Sequence, residues 1–152
     1  MSNVSNESLK RYNYLLSEIN ELYHNAAEKA GISDSVQCIL YALCQNGERC
    51  LQSEISRESG ISRQTINSAL RRLEAAEFVY LAPGSGRNTI VCLTEKGRTL
   101  AEKTAYPLMA VENRIFDDWT PEELREYLRL TQKFRDGLKR GLSGLPRNNK
   151  QF

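Results

Sequence analysis

The chain has 152 residues, of which 26% are charged and 40% hydrophobic, and its formal net charge is +2. That length holds one domain with a sizeable core, and the composition is ordinary for a soluble globular protein. No run reaches the ~18 apolar residues needed to span a bilayer, and the polar opening MSNVSNESLK is no signal peptide, so a cytoplasmic protein with no membrane partner is expected.

Residues 8–30 carry Leu9, Tyr12, Leu16, Ile19, Tyr23, Ala26 and Ala30 at three- and four-residue steps, which predicts an amphipathic helix. Gly31 stands where a C-terminal cap belongs, and Ser33 can cap the next helix. That helix places Val36, Ile39, Leu40 and Leu43 on one face and is expected to stop near Asn46-Gly47. His24 and Glu28 lie one helical turn apart. With no second His or Cys nearby to complete a metal site, His24 reads as a surface or interface residue.

Residues 51–75 predict two short helices meeting at Gly60, with Ile55, Ile61, Ile66, Ala69, Leu70 and Leu73 as their apolar skeleton. Ser62 caps the second helix, whose first turns carry Arg63, Gln64, Thr65, Asn67, Ser68 and Arg71. Side chains of these types hydrogen-bond to base edges and phosphates, and they concentrate where a recognition helix enters a major groove. Arg63, Gln64 and Asn67 are expected at base edges, and Thr65, Ser68 and Arg71 at phosphates. Strands over Phe78–Leu81 and Thr89–Leu93 flank the turn Pro83-Gly84-Ser85-Gly86-Arg87-Asn88, forming a wing. Arg87 at its tip is either a minor-groove arm or an ordinary hairpin residue. Across residues 51–98, Arg57, Arg63, Arg71, Arg72, Arg87, Lys96 and Arg98 stand against Glu54, Glu58, Glu74, Glu77 and Glu95. Seven against five is a small excess, so a basic face has to come from arrangement.

Residues 95–116 predict a long helix kinked near Thr104 to Ala110 by Pro107. Thr120-Pro121-Glu122-Glu123 is a helix start with Thr as cap, Pro at the first position and Glu completing a capping box. Leu124, Tyr127, Leu128, Thr131, Phe134 and Leu138 carry that helix to about Arg140. Gly141, Gly144, Pro146 and the end RNNKQF are expected to fray. The fold class is therefore mainly α with a small β-wing: a winged helix-turn-helix core over 33–100, flanked by helices 8–30 and 108–140, in a single domain 1–152. The flanking apolar stripes need a partner, and a second copy of the chain is the simplest, giving a homodimer. Double-stranded DNA is the other expected partner.

QSEI at Gln52 to Ile55, ISRQTINSALRRLEAAEFV at Ile61 to Val79 and LTEKG at Leu93 to Gly97 resemble the multiple-antibiotic-resistance regulator (MarR) family of transcription factors. The resemblance runs from about residue 8 to 140. It implies a homodimeric regulator, a repressor on a palindromic operator, often released by a small aromatic acid or an oxidant. It also implies an effector pocket beside the DNA-binding core, lined by residues such as Tyr12, Tyr23, Ile39 or Leu108. Three positions depart from the family: Ser85 replaces the wing Asp, Leu51 stands where a capping Thr is common, and Glu77 where Gly ends the recognition helix.

Two other readings stand beside this one. Cys38, Cys44, Cys50 and Cys92 lack metal-ligand spacing, and Cys38 and Cys44, six positions apart, lie roughly 240° apart around a helix; they read as packing thiols, with thiol-based redox sensing as the alternative. A winged helix can also serve as a protein-interaction module, although the Arg-Gln-Thr tip argues against it. No catalytic residues, metal site or cofactor are expected.

Overall fold

The computed structural model describes residues 3–145. It contains two compact units, Met1–Ala110 and Val111–Phe152. The first holds α1 (Asn3–Lys29), α2 (Asp34–Gln45), β1 (Arg49–Leu51), α3 (Gln52–Ser59), α4 (Arg63–Ala75), β2 (Val79–Pro83), β3 (Thr89–Leu93), α5 (Glu95–Lys103) and the opening of α6 (Ala105–Asp117); α7 (Pro121–Ser143) belongs to the second.

Helix ends in the first unit follow from local chemistry. After α1, Gly31 is left-handed (φ 70°), its N–H meets Glu28 O at 2.9 Å, and the Ile32 N–H meets Ala27 O at 3.0 Å. This paired closure satisfies carbonyls that the helix end would leave bare. The same closure ends α2 through Gly47 and Glu48, and α4 through Glu77 and Phe78. Glu77, noted above as standing where the family has Gly, takes φ 60° there, so a left-handed position is occupied by a residue with a Cβ. At the start of α3, Leu51 has no side chain to cap with, but Glu54 Oε2 accepts the Leu51 N–H at 3.0 Å and supplies half of a capping box.

The core of this unit is formed by Ile39, Leu40 and Leu43 of α2, Ile55 of α3, Ile66 and Leu70 of α4, and Val79 and Val91 of the sheet, all 0–3% exposed. Fully burying such side chains contributes roughly 1.5–3 kcal/mol each. Ile39, expected at an effector pocket, is instead wholly inside this core. The sheet has three antiparallel strands in the order β1-β3-β2, one more than expected. β2 and β3 pair from Val79↔Leu93 to Pro83↔Thr89, and β1 adds Arg49↔Cys92 to Leu51↔Ile90.

The long helix expected over 95–116 is two helices, divided at Thr104 (φ −129°, ψ −78°). Pro107 explains the position: its ring clashes with the carbonyl four residues back, at Lys103. Restarting the helix at Ala105 puts Pro107 in a first turn, where a missing N–H costs nothing.

In the second unit, the Thr120 hydroxyl accepts the Glu123 N–H at 3.2 Å, and Glu123 Oε2 accepts the Thr120 N–H at 2.8 Å, as the capping box requires. Phe116, Trp119 and Tyr127 cluster at this corner, with Trp119 edge-on to both other rings at 5.3 and 5.1 Å. α7 has no buried residue and runs through Gly141 to Ser143, beyond its expected end. The fraying expected from Pro146 onward lies outside the described residues. No helix among the described residues is long and apolar enough to cross a membrane.

Candidate nucleic-acid interface

α4 divides cleanly by face. Ile66, Ala69, Leu70 and Leu73 are buried, whereas Ser62, Arg63, Gln64, Thr65, Ser68 and Arg71 are exposed and Asn67 is half-buried. Arg63, Asn67 and Arg71 recur every four residues and so form one stripe, with Gln64 and Ser68 beside it. Ser62 caps the helix by accepting the Thr65 N–H at 3.2 Å, and its hydroxyl lies 2.8 Å from Thr65 Oγ1. Both hydroxyls are therefore partly committed to the helix start.

The far end of α4 is clamped by the segment Leu93 to Gly97. Thr94 Oγ1 donates to Glu77 O at 2.6 Å while accepting the Gly97 N–H at 3.0 Å, and so caps α5 on the end of α4. Lys96 Nζ donates to Ala76 O at 2.7 Å and sits 4.6 Å from the Phe78 ring centroid. A cation on the last carbonyls of a helix is favoured by the helix dipole. Gly97 packs so closely that a Cβ would run into the Phe78 carbonyl oxygen. The sequence singled out this motif without disclosing its role.

Charge arrangement resolves the small basic excess. Arg98 binds Glu48 and Glu95, Lys96 is spent on a carbonyl, and Arg57 faces Glu54 and Glu58 at 3.9 and 4.0 Å. Arg63, Arg71, Arg72 and Arg87 form no ion pair with any described residue. Arg87 is exposed in the loop 84–88, which is closed by the Gly84 N–H on Asn88 O at 2.8 Å and turned by Gly86 at φ 66°.

One contact to this stripe escaped sequence reasoning. Gln52, the first residue of α3, donates from Nε2 to Asn67 Oδ1 at 2.6 Å.

Residues 30–87 match the MarR family. The matched segment runs from α2 into the wing and so includes the helix-turn-helix. An HTH-type transcriptional repressor of Mycobacterium tuberculosis is 31% identical over 83 residues, which cover 53% of this chain and 60% of the repressor. The chain thus spans less than two thirds of the curated relatives it matches. A MarR family regulator from Neisseria meningitidis has TM-score 0.78 at 14% identity, covering 90% of this chain and 96% of its own. A MarR family transcriptional regulator from Streptomyces coelicolor, solved in complex with DNA, has TM-score 0.71 at 21% identity, covering 91% and 93%. At such identities the likeness is one of fold, and the MarR winged helix is the fold shared.

Cys38, Cys44 and Cys50 are poorly placed for ionisation. Cys44, Cys50 and Cys92 are buried and Cys38 partly so. Burial raises the Cys38 and Cys44 thiols and pushes Cys50 up to about 11. His24 sits at 3.0 Å from Asp34, whose hydrogen bond and charge raise its pKa, an ion-pairing partner not foreseen from the sequence. No cluster of three or more His, Cys, Asp or Glu able to hold a metal is found among the described residues.

Proposed function

We propose that the chain is a homodimeric transcriptional repressor that binds a palindromic operator in double-stranded DNA. α4 enters the major groove, with Arg63, Gln64 and Asn67 at base edges and Ser62, Thr65, Ser68 and Arg71 along phosphates, while Arg87 reaches the adjacent minor groove. The observation that carries this reading is α4 itself: a helix locked at its C-terminal end whose exposed face presents uncompensated Arg63 and Arg71 beside amide and hydroxyl groups. An interaction module would not need that combination of unpaired cations and base-reading amides. The reading assigns the chain no catalysis, and cytoplasmic residence follows from a DNA target.

The dimer rests on exposed apolar surface. Leu9, Leu16 and Ile19 of α1 are 40–47% exposed, and Leu128, Phe134 and Leu138 of α7 are 46–50% exposed. Apolar stripes of this length on helices need cover, and a second copy would also set two α4 helices about one DNA turn apart. Residues 8–30 and 108–140 are thus read as dimerisation helices around a core at 33–100. A small aromatic acid is the proposed releasing ligand. NadR is solved in complex with 4-hydroxyphenylacetate, and BpsR of Bordetella bronchiseptica is described as regulated by 6-hydroxynicotinic acid. The raised, buried thiols favour such a ligand over thiol oxidation as the releasing signal.

Selection from random duplexes tests the DNA reading. A partly palindromic site should emerge, and Ala at Arg63, Gln64 or Asn67 should weaken it roughly 5- to 150-fold with relaxed preference at particular bases. Equal losses on random DNA would make these residues phosphate contacts. A sedimenting species of only 17.3 kDa at micromolar concentration would overturn the dimer.

A further inference from the structure

Asn67 is the only member of the proposed base-reading trio that is not fully exposed, and its acceptor oxygen is engaged by another helix. We propose that Gln52 is a positioning residue for base specificity: by donating to Asn67 Oδ1 it fixes the orientation of the Asn67 amide and presents Asn67 to the groove as a donor. The inference rests on the DNA reading above.

An amide side chain is two-ended, with an oxygen that accepts and an NH₂ that donates. Rotated by half a turn, it offers a base edge the opposite chemistry, so an unrestrained Asn discriminates poorly until something holds it. The 2.6 Å bond from Gln52 Nε2 identifies the end of Asn67 that faces α3 as the oxygen. With Gln52 held as a donor, flipping Asn67 alone would set NH₂ against NH₂ and lose the bond. Nδ2 is therefore left to donate outward, to the acceptors that bases display in the major groove.

Gln52 is well suited to the task. It is the first residue of α3, where the backbone is set by the Leu51–Glu54 half-box, and α3 and α4 are joined through Ile55 and Ile66 in one core. Gln52 and Asn67 are thus held by different helices whose separation is fixed by packing. Because the bond is part-buried, water competes for it less than at an open surface.

The test uses the full chain and operators selected by the wild type, comparing Gln52→Met, Asn67→Ala and the double variant. Met keeps the length and helix propensity of Gln but cannot donate. Gln52→Met is expected to weaken the operator about tenfold and to relax preference at the same base pair of each half-site as Asn67→Ala, with the salt dependence of affinity unchanged. In the Asn67→Ala background, Gln52→Met is expected to cost less than twofold, because coupled residues fail additivity. Full additivity, or a salt slope lowered as by loss of a phosphate contact, would make Gln52 an independent DNA ligand and overturn the proposal. Asn67→Asp keeps an acceptor for Gln52 but replaces the outward donor with an oxygen, and is expected to change the preferred base pair; an unchanged preference overturns the donor assignment. If the wild type selects no sequence at all, the DNA reading fails and this inference with it, whereas a selected preference that survives Gln52→Met overturns this inference alone.

Discussion

Arg98 grips Glu48 across fifty positions of sequence, with Nε at 2.9 Å and Nη2 at 2.7 Å from the same carboxylate oxygen, Oε2. The Tyr106 hydroxyl donates to the other oxygen, Oε1, at 3.0 Å. Glu48 is itself left-handed (φ 69°), and its carbonyl accepts the Leu93 N–H at 3.0 Å. One residue thus joins the end of α2 to α5, α6 and β3. Its carboxyl is held below the usual range, chiefly by the Arg98 hydrogen bond, while burial and Glu48 push Tyr106 up to about 12.

Glu48→Gln is expected to lower the melting temperature at neutral pH by about 2–4 °C. The sign follows from the depressed carboxyl. A group with a folded pKa below its unfolded value of 4.5 stabilises fully above 4.5, and that contribution is lost as pH falls through the folded pKa. Melting both proteins from pH 7 down to 3 should show a constant gap that closes below about 4.5. A gap independent of pH would assign the effect to packing alone.

Gly97→Ala is expected to destabilise by about 3 kcal/mol, at the upper end of overpacking costs, because the new methyl collides with backbone rather than with a side chain that can swing away. Urea unfolding measures it. A loss under 0.5 kcal/mol would mean that α5 can back away from Phe78 freely.

Glu77→Gly is expected to stabilise by up to about 1 kcal/mol, since glycine accepts the left-handed backbone that Glu77 is forced into. The Phe78 N–H bond to Leu73 O stays in place, so DNA affinity should be unchanged. Destabilisation would show that the Glu77 side chain contributes more than its strain removes.

Arg87→Ala is expected to lower the slope of log K against log salt by roughly 2 units, one released counterion from each wing of a dimer. The loss should be largest on operators with A·T-rich flanks, whose narrow minor grooves attract Arg. Titrations at several salt concentrations on A·T- and G·C-flanked sites decide it; an unchanged slope and flank preference would leave Arg87 a solvated hairpin residue.

What could be read in advance was what is local in the chain. The Ser33, Ser62 and Thr120 caps, the Gly31 helix end and the buried face of α4 depend on neighbours within a few positions, and all stand where their spacing put them. β1 escaped because Arg49–Leu51 is too short to show alternation, and it is a strand only through pairing with β3 some forty residues later. The division at Thr104 came early in the window set by Pro107, since the clash falls on the carbonyl behind the ring. The Glu48 junction and the Gln52–Asn67 bond were illegible for one reason: each joins polar residues that are unremarkable singly and distant in sequence.

The clamp at Leu93 to Gly97 bears on how the protein could be switched off. Because Thr94 and Lys96 hold the Glu77 and Ala76 carbonyls just past α4 and Gly97 lies against Phe78 at the root of the wing, α4 and the wing share one anchorage with α5. They behave as two prongs of a single tool. In the proposed dimer, a ligand that displaced α5 would carry both prongs together, so its effect would be to change the distance between one tool and its twin while each kept its grip. Release would then depend on operator spacing: half-sites moved apart by a base pair could be bound better by the liganded protein than by the free one.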